Sequence, residues 1–149
     1  MRVIRKASRE ERADVETIVR EAYARYAGRI GKPAGPVFAD YARLIDEGRV
    51  WVLAEAGAVL GILVLVLAPD GALLDNVAVS PTAQGRGLGR ALIDHAELKA
   101  RAAGFDAIAL YTNAVMTENL AKYARLGYVE THRATEDGYD RVHMRKPLS

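Results

Sequence analysis

Residues 77–90 read Val77-Ala78-Val79-Ser80-Pro81-Thr82-Ala83-Gln84-Gly85-Arg86-Gly87-Leu88-Gly89-Arg90. An apolar strand is broken by Ser-Pro, and a glycine-rich loop then runs straight into an amphipathic helix carried by Leu88, Ala91, Leu92, Ala96, Leu98 and Ala102. Such a loop can bind an anion. Glycines allow close backbone approach and unusual dihedrals, while the free N–H groups and dipole of a helix's first turn attract negative charge. Arg86 and Arg90 add cations nearby. A glycine-rich turn can also do no more than join a strand to a helix. A dinucleotide-binding fingerprint is excluded by spacing, because Gly-x-Gly-x-x-Gly begun at Gly85 or Gly87 meets Arg90 or Leu92 at its third glycine. No Gly-Lys-Ser/Thr follows, so the loop is not of the Walker type.

Upstream, Arg2 to Lys6 reads as a strand, and Ser8 with Glu11 forms an S-x-x-E capping box before a helix with the apolar row Ile18, Val19, Ala22, Tyr23 and Tyr26. That helix is expected to stop at the Gly28–Pro36 cluster. Phe38, Tyr41, Leu44 and Ile45 mark a shorter helix ending at Gly48. Strands are expected at Val50–Ala54, Val59–Leu67 and Leu73–Val79, joined by the turn signals Ala56-Gly57 and Pro69-Asp70-Gly71. Downstream of the long helix, which is closed by Gly104, come a strand at Ala107–Thr112, a helix from Thr117 to Leu126 and two strands at Tyr128–Arg133 and Arg141–Arg145. This order implies an α+β fold, a mixed sheet with helices packed on it.

At 149 residues, half of them hydrophobic and 27% charged, the chain reads as one soluble domain spanning 1–149. Its net charge of +2 is spread among alternating acids and bases, which argues against a nucleic-acid partner. The absence of cysteine removes disulfides, thiolate metal sites and cysteine nucleophiles together. His95, His132 and His143 lack metal-ligand spacing, so no metal is expected, and His95 reads as a packing or capping group. The longest apolar run, Val59 to Ala68, is too short to span a bilayer, and a cytoplasmic location without membrane attachment is expected.

Two segments resemble the GNAT superfamily of N-acetyltransferases. Gln84, Gly87 and Gly89 match its Gln/Arg-x-x-Gly-x-Gly/Ala motif after an apolar strand, and Tyr123-Ala124-Arg125-Leu126-Gly127-Tyr128 matches its Tyr-x-x-Leu-Gly-Phe/Tyr helix end. The resemblance covers nearly the whole chain. It implies a mostly antiparallel twisted sheet of about seven strands flanked by about four helices, with a bulge in the fourth strand and a splay between the fourth and fifth. It further implies acetyl-CoA as acyl donor, held by the backbone of Val77, Ala78 and Val79 and, at its pyrophosphate, by the amides of Gly85, Arg86, Gly87, Leu88, Gly89 and Arg90. Tyr123 matches the general acid that protonates the departing thiolate; periodicity alone would make it a core aromatic. Met116 stands where several relatives carry a cofactor-contacting asparagine, so that contact moves to Asn113 or Asn119, or is lost. Tyr111 stands where some protein-acetylating relatives carry a glutamate base.

Asp75, which ends an apolar run beside the expected reaction centre, is the first candidate for a base, with Glu118 behind it. A solvent-facing carboxylate at a strand end is the plainer alternative. The acceptor pocket is expected among Tyr23, Tyr26, Arg29, Lys32, Asp40 and Tyr111. The sequence therefore reads as an N-acetyltransferase acting on an amine in a ternary complex, with a homodimer plausible for the superfamily; the alternative is an acyl-CoA-binding module without turnover.

Overall fold

The computed structural model describes residues 1–148. Seven strands, β1 (Arg2–Lys6), β2 (Val50–Glu55), β3 (Ala58–Ala68), β4 (Gly71–Val79), β5 (Ala107–Asn113), β6 (Val129–Glu136) and β7 (Tyr139–Pro147), form one sheet in the order β1-β2-β3-β4-β5-β7-β6. Every neighbouring pair is antiparallel except β4 and β5, which are parallel. The helices are α1 (Arg12–Tyr23), α2 (Ala27–Ile30, a single turn), α3 (Tyr41–Asp46), α4 (Leu88–Ala102) and α5 (Thr117–Arg125). This is the expected α+β architecture. β6 and β7 run longer than sequence reading allowed.

The sheet is buried on both faces. On one, Val15, Ile18 and Val19 of α1 and Tyr41 and Ile45 of α3 pack on Val50, Val52, Ile62 and Val64. On the other, Leu88, Leu92, Ile93 and Ala96 of α4 pack with Tyr123 of α5 on Leu53, Leu63, Leu74, Ile108 and Leu110. Burial on both sides explains why β3 reads as one continuous apolar run. Gly61 lets α4 approach this strand: a Cβ there would lie 3.0 Å from Leu92 Cδ1 and 3.3 Å from the Ala78 carbonyl oxygen.

One local expectation is corrected. Phe38 lies outside α3 in a separate 3₁₀ turn and is 68% exposed. The cause is Asp40, whose Oδ1 accepts the Arg43 N–H at 3.1 Å and starts α3 after it. The first helical run ends within the expected Gly28–Pro36 cluster: it continues through a 3₁₀ turn into α2 and stops at Gly31, whose φ of 88° is a left-handed C-cap.

The feature that makes a site is in β4. Opposite β3 the register steps from Val64↔Asn76 to Leu65↔Leu74, so Asp75 is the extra residue of a bulge. Buried residues still alternate along β4, yet Ala72 and Leu74 join the α4 face whereas Ala78 joins the α1 face. The bulge turns the strand over, and its pairing with β5 extends only over Ala72–Leu74 against Ile108–Leu110. Beyond that point the strands part, which is the expected splay.

Candidate active site

Where β4 loses its parallel neighbour, the segment from Asp75 to Val79 keeps β3 on one side and has no strand on the other. A cavity of about 400 Å³ opens along this free edge, bordered by Val77, Ala78 and Val79 and floored by the loop before α4. In that loop Gly85 and Gly87 adopt φ of 81° and 76°, left-handed values that glycine takes without penalty. Neither is there for space, since a Cβ at either would meet nothing within 4 Å. Among the described residues, no backbone N–H from Gly85 to Arg90 donates a hydrogen bond of good distance and angle within the chain, the nearest case being Arg86 N–H at the Gln84-Gly85 turn. A row of unpaired amides thus meets the positive end of a fifteen-residue helix, an arrangement suited to an anion.

Side chains reinforce that sign. Arg25, Arg90, Lys122 and Arg125 line the cavity against one acid, Glu118, which is neutralised by Arg29 at 2.7 Å. Burial lowers the pKa of the Lys122 ammonium, and its Nζ would stand 3.0 Å from a Cβ at Gly89. Arg86 turns the other way, with its guanidinium 2.8 Å from Glu55. Gln84 lines the cavity and ties the loop to the strand end by donating to the Val79 carbonyl at 3.2 Å. The cradle fits a diphosphate: free amides, open space above the glycines and surrounding cations.

A smaller cavity of about 50 Å³ adjoins the first, sharing Tyr23 and Met116 as walls. Asp75, Tyr111 and Asn113 line it, together with Tyr139 and Arg141. Tyr111 donates to Asp75 Oδ1 at 2.7 Å, across the point where the β4–β5 ladder ends. Burial first, and then the Asp75 charge, raise the Tyr111 pKa, so this phenol holds its proton as a donor. Asn113 is occupied as a turn acceptor, its Oδ1 taking the Val115 N–H at 3.1 Å, while Asn119 lines the larger cavity.

Tyr123 belongs to α5 and is 9% exposed, its ring edge-on to Tyr128 at 5.7 Å. It makes no side-chain hydrogen bond among the described residues, and desolvation pushes its pKa up to about 12. It lies near enough to Tyr23 to raise that phenol's pKa, behind desolvation as the larger cause. Tyr23 donates to Asn76 Oδ1 at 2.7 Å, Asn76 Nδ2 donates to Tyr41 Oη at 3.1 Å, and Tyr41 donates to the Pro36 carbonyl at 2.6 Å. This buried chain fixes α1 and α3 against the bulge.

The structure therefore brings Val77–Val79, Gln84, Gly85, Gly87–Arg90, Asn119, Tyr23 and Tyr26 to one cavity and Asp75, Tyr111 and Asn113 to its neighbour. Arg29 reaches the rim through Glu118. Asp40 serves as the α3 cap, and Lys32 stacks over Tyr139 at 4.2 Å from the ring centroid. Sequence reasoning missed Asn76, Lys122, Arg25 and Arg141. His95 packs edge-on to Trp51 at 4.6 Å, its Nε2 buried without a partner. Among the described residues no cluster of His, Cys, Asp or Glu could hold a metal, and no helix is long and apolar enough to cross a membrane.

Residues 46–130 match the family model for the acetyltransferase (GNAT) domain. An IAA acetyltransferase of Azospirillum brasilense is 31% identical over 104 residues, 67% of this chain and 68% of that protein. Among solved structures, the ribosomal-protein-S18-alanine N-acetyltransferase of Escherichia coli superposes with a TM-score of 0.77 at 24% identity, covering 100% of this chain and 95% of the other. The PaiA N-acetyltransferase of Thermoplasma acidophilum, in complex with coenzyme A, superposes at 0.79 with 18% identity over 99% of each chain.

Proposed function

The chain belongs to the acetyltransferase (GNAT) domain family, and from that premise we propose that it moves an acetyl group from acetyl-CoA to the nitrogen of an amine. One observation carries the reading: the gap that opens beyond Leu74 and Leu110 runs without interruption into the loop of unpaired amides, so one cavity offers both an edge for an extended arm and a seat for its diphosphate. The T. acidophilum neighbour, which shares this fold, holds coenzyme A.

Acetyl-CoA supplies an activated thioester. The amides of Gly85 to Arg90 bind its diphosphate, with Arg90, Lys122 and Arg125 adding charge. The free edge at Val77–Val79 holds the pantetheine arm and presents backbone donors to the carbonyl, a contribution worth about 3–4 kcal/mol in comparable sites. Tyr123 holds its proton for the departing sulfur, and Asp75 accepts the proton that the amine loses, directly or through water. With no cysteine to carry an acyl group, direct attack by the amine in a ternary complex follows, and initial-rate plots should intersect. We place the reaction in one domain acting in the cytoplasm, with a homodimer as its assembly.

An ordinary lysine amine at pKa ~10.4 needs about 4–5 kcal/mol to shed its proton at pH 7, whereas an α-amine near ~7.8 needs about 1. Where no strong base assists, a low-pKa amine is therefore the favoured acceptor, and a more basic amine needs its proton taken up by Asp75. Release of free thiol from acetyl-CoA, followed over a graded series of amines, should slow steeply as amine pKa rises. Tight binding of coenzyme A with no thiol released on any amine would make the protein an acyl-CoA-binding module instead.

A further inference from the structure

Arg141 is the one charged group at the smaller cavity whose position the foregoing chemistry does not use. It projects from β7 opposite Asn113 of β5, beside the opening of the sheet. Its side chain is only 17% exposed, and its guanidinium stacks on Tyr111 with Cζ 4.5 Å from the ring centroid. A guanidinium carries five N–H donors, and among the described residues Arg141 pairs with carboxylates through Nη1 alone. Its carboxylate neighbours, Glu136 at 3.6 Å and Asp137 at 3.7 Å, are beyond good hydrogen-bond range. Glu136 Oε1 is shared with His143, which it meets more closely, at 2.9 Å. A largely desolvated cation whose Nη2 turns toward Gly35 and the cavity keeps donors beyond these two ion pairs, and a planar carboxylate suits that side of its fork.

The opposite charge stands at the other end of the same tyrosine. The Tyr111 hydroxyl donates to Asp75, while Arg141 lies over the Tyr111 ring. One small molecule carrying an ammonium and a carboxylate can meet both, its nitrogen at the strand opening and its carboxylate on β7. Above them the Gly35-Pro36 turn closes the cavity: a Cβ at Gly35 would touch the Arg141 guanidinium at 3.5 Å and the Tyr139 ring at 3.7 Å, and Tyr139 holds the turn by donating to the Pro33 carbonyl at 2.6 Å. The cavity's 50 Å³ leaves room for a carboxylate and little more. From this geometry we infer that the acceptor is a small free amino acid, its carboxylate bound by Arg141 and its amine presented at Asp75. The inference rests on the acetyl-transfer reading and names the substrate class of that site.

The test compares alanine with ethylamine and alaninamide as acceptors, for the wild type, Arg141→Gln and Arg141→Lys. The preference for alanine over the two acceptors lacking a carboxylate, expressed as a ratio of kcat/KM, should fall about a hundredfold in Arg141→Gln, the loss expected of a buried charge pair. It should recover in part in Arg141→Lys, and the change should lie in KM. Comparing the ratio between variants cancels the basicity of each amine. Melting temperature and coenzyme A affinity report whether each variant folds. A ratio unmoved by Arg141→Gln would overturn the inference. Calorimetry of N-acetylalanine with the coenzyme A complex provides a second readout that needs no turnover. Binding that Arg141→Gln abolishes supports the carboxylate site even if no amine is acetylated, whereas no binding removes it while leaving acetyl transfer intact.

Discussion

A phenol buried in the core keeps its proton, and Tyr123, pushed up to about 12, is protonated throughout the neutral range. Full transfer to a thiolate whose thiol has a pKa of about 8.5 would be uphill, so Tyr123 acts by donating a hydrogen bond that strengthens as sulfur charge develops. Tyr123→Phe should lower kcat about a hundredfold while coenzyme A affinity holds, since the ring and its edge contact with Tyr128 remain. An equal loss in affinity would make Tyr123 a wall of the site and nothing more. At this scale the sequence was legible where a residue acts through its neighbours in the chain. Asp75 could be singled out, but not its adjacent Asn76, because only the bulge brings both to the α1 face. Arg86 stood out as the loop's cation, yet it turns to Glu55, and Lys122 arrives from α5. Which way a side chain points from a known element depends on how the elements dock, and no local pattern records that.

Among the elements, α4 has the most to lose at its ends. Its first turn is held open by Gly87 at φ 76°, a conformation that costs an L-residue about 1–2 kcal/mol. Gly87→Ala should therefore raise the coenzyme A dissociation constant about tenfold, measured by calorimetry, with no steric clash to blame because the space there is empty. Further along the helix Glu97 is buried, its side chain 6% exposed, and holds Tyr128 at 2.9 Å and Lys146 at 2.9 Å. This pair of contacts fastens α4 to the end of α5 and to β7. Lys146→Met would leave the carboxylate without its cation, and about 3–5 kcal/mol of stability should be lost in denaturant titration; a loss under 1 kcal/mol would mean that water or Arg101 at 4.0 Å replaces it. Most elements were legible from period and punctuation. The failure falls where a cap overrode an apolar row, as Asp40 did at Phe38.

Across the whole molecule, the sheet works as a wedge: continuous from β1 through β4, continuous again from β5 to β6, and open between β4 and β5 on one side of the Leu74–Leu110 pair. The far edge is anchored by Glu11, whose carboxyl is lowered to about 2, first by the Arg5 hydrogen bond. A folded pKa below the unfolded value of about 4.3 means that this contribution is complete above about pH 4.3 and disappears as pH falls toward 2. Stability should decline across that window, and Glu11→Gln should flatten the decline; an unchanged slope would assign the acid sensitivity to other carboxylates. The opening itself was legible only through family resemblance, because a bulge is invisible in a strand whose burial still alternates.

The central claim is that the main chain from Gly85 to Arg90 grips a diphosphate. Backbone amide chemical shifts followed during titration with coenzyme A test it directly, with pantetheine, which lacks the diphosphate, as the paired ligand. The account predicts that the largest shifts fall on residues 85–90 with coenzyme A and vanish there with pantetheine, while Val77–Val79 respond to both. Saturable binding of coenzyme A that left the amides of 85–90 unmoved would contradict it.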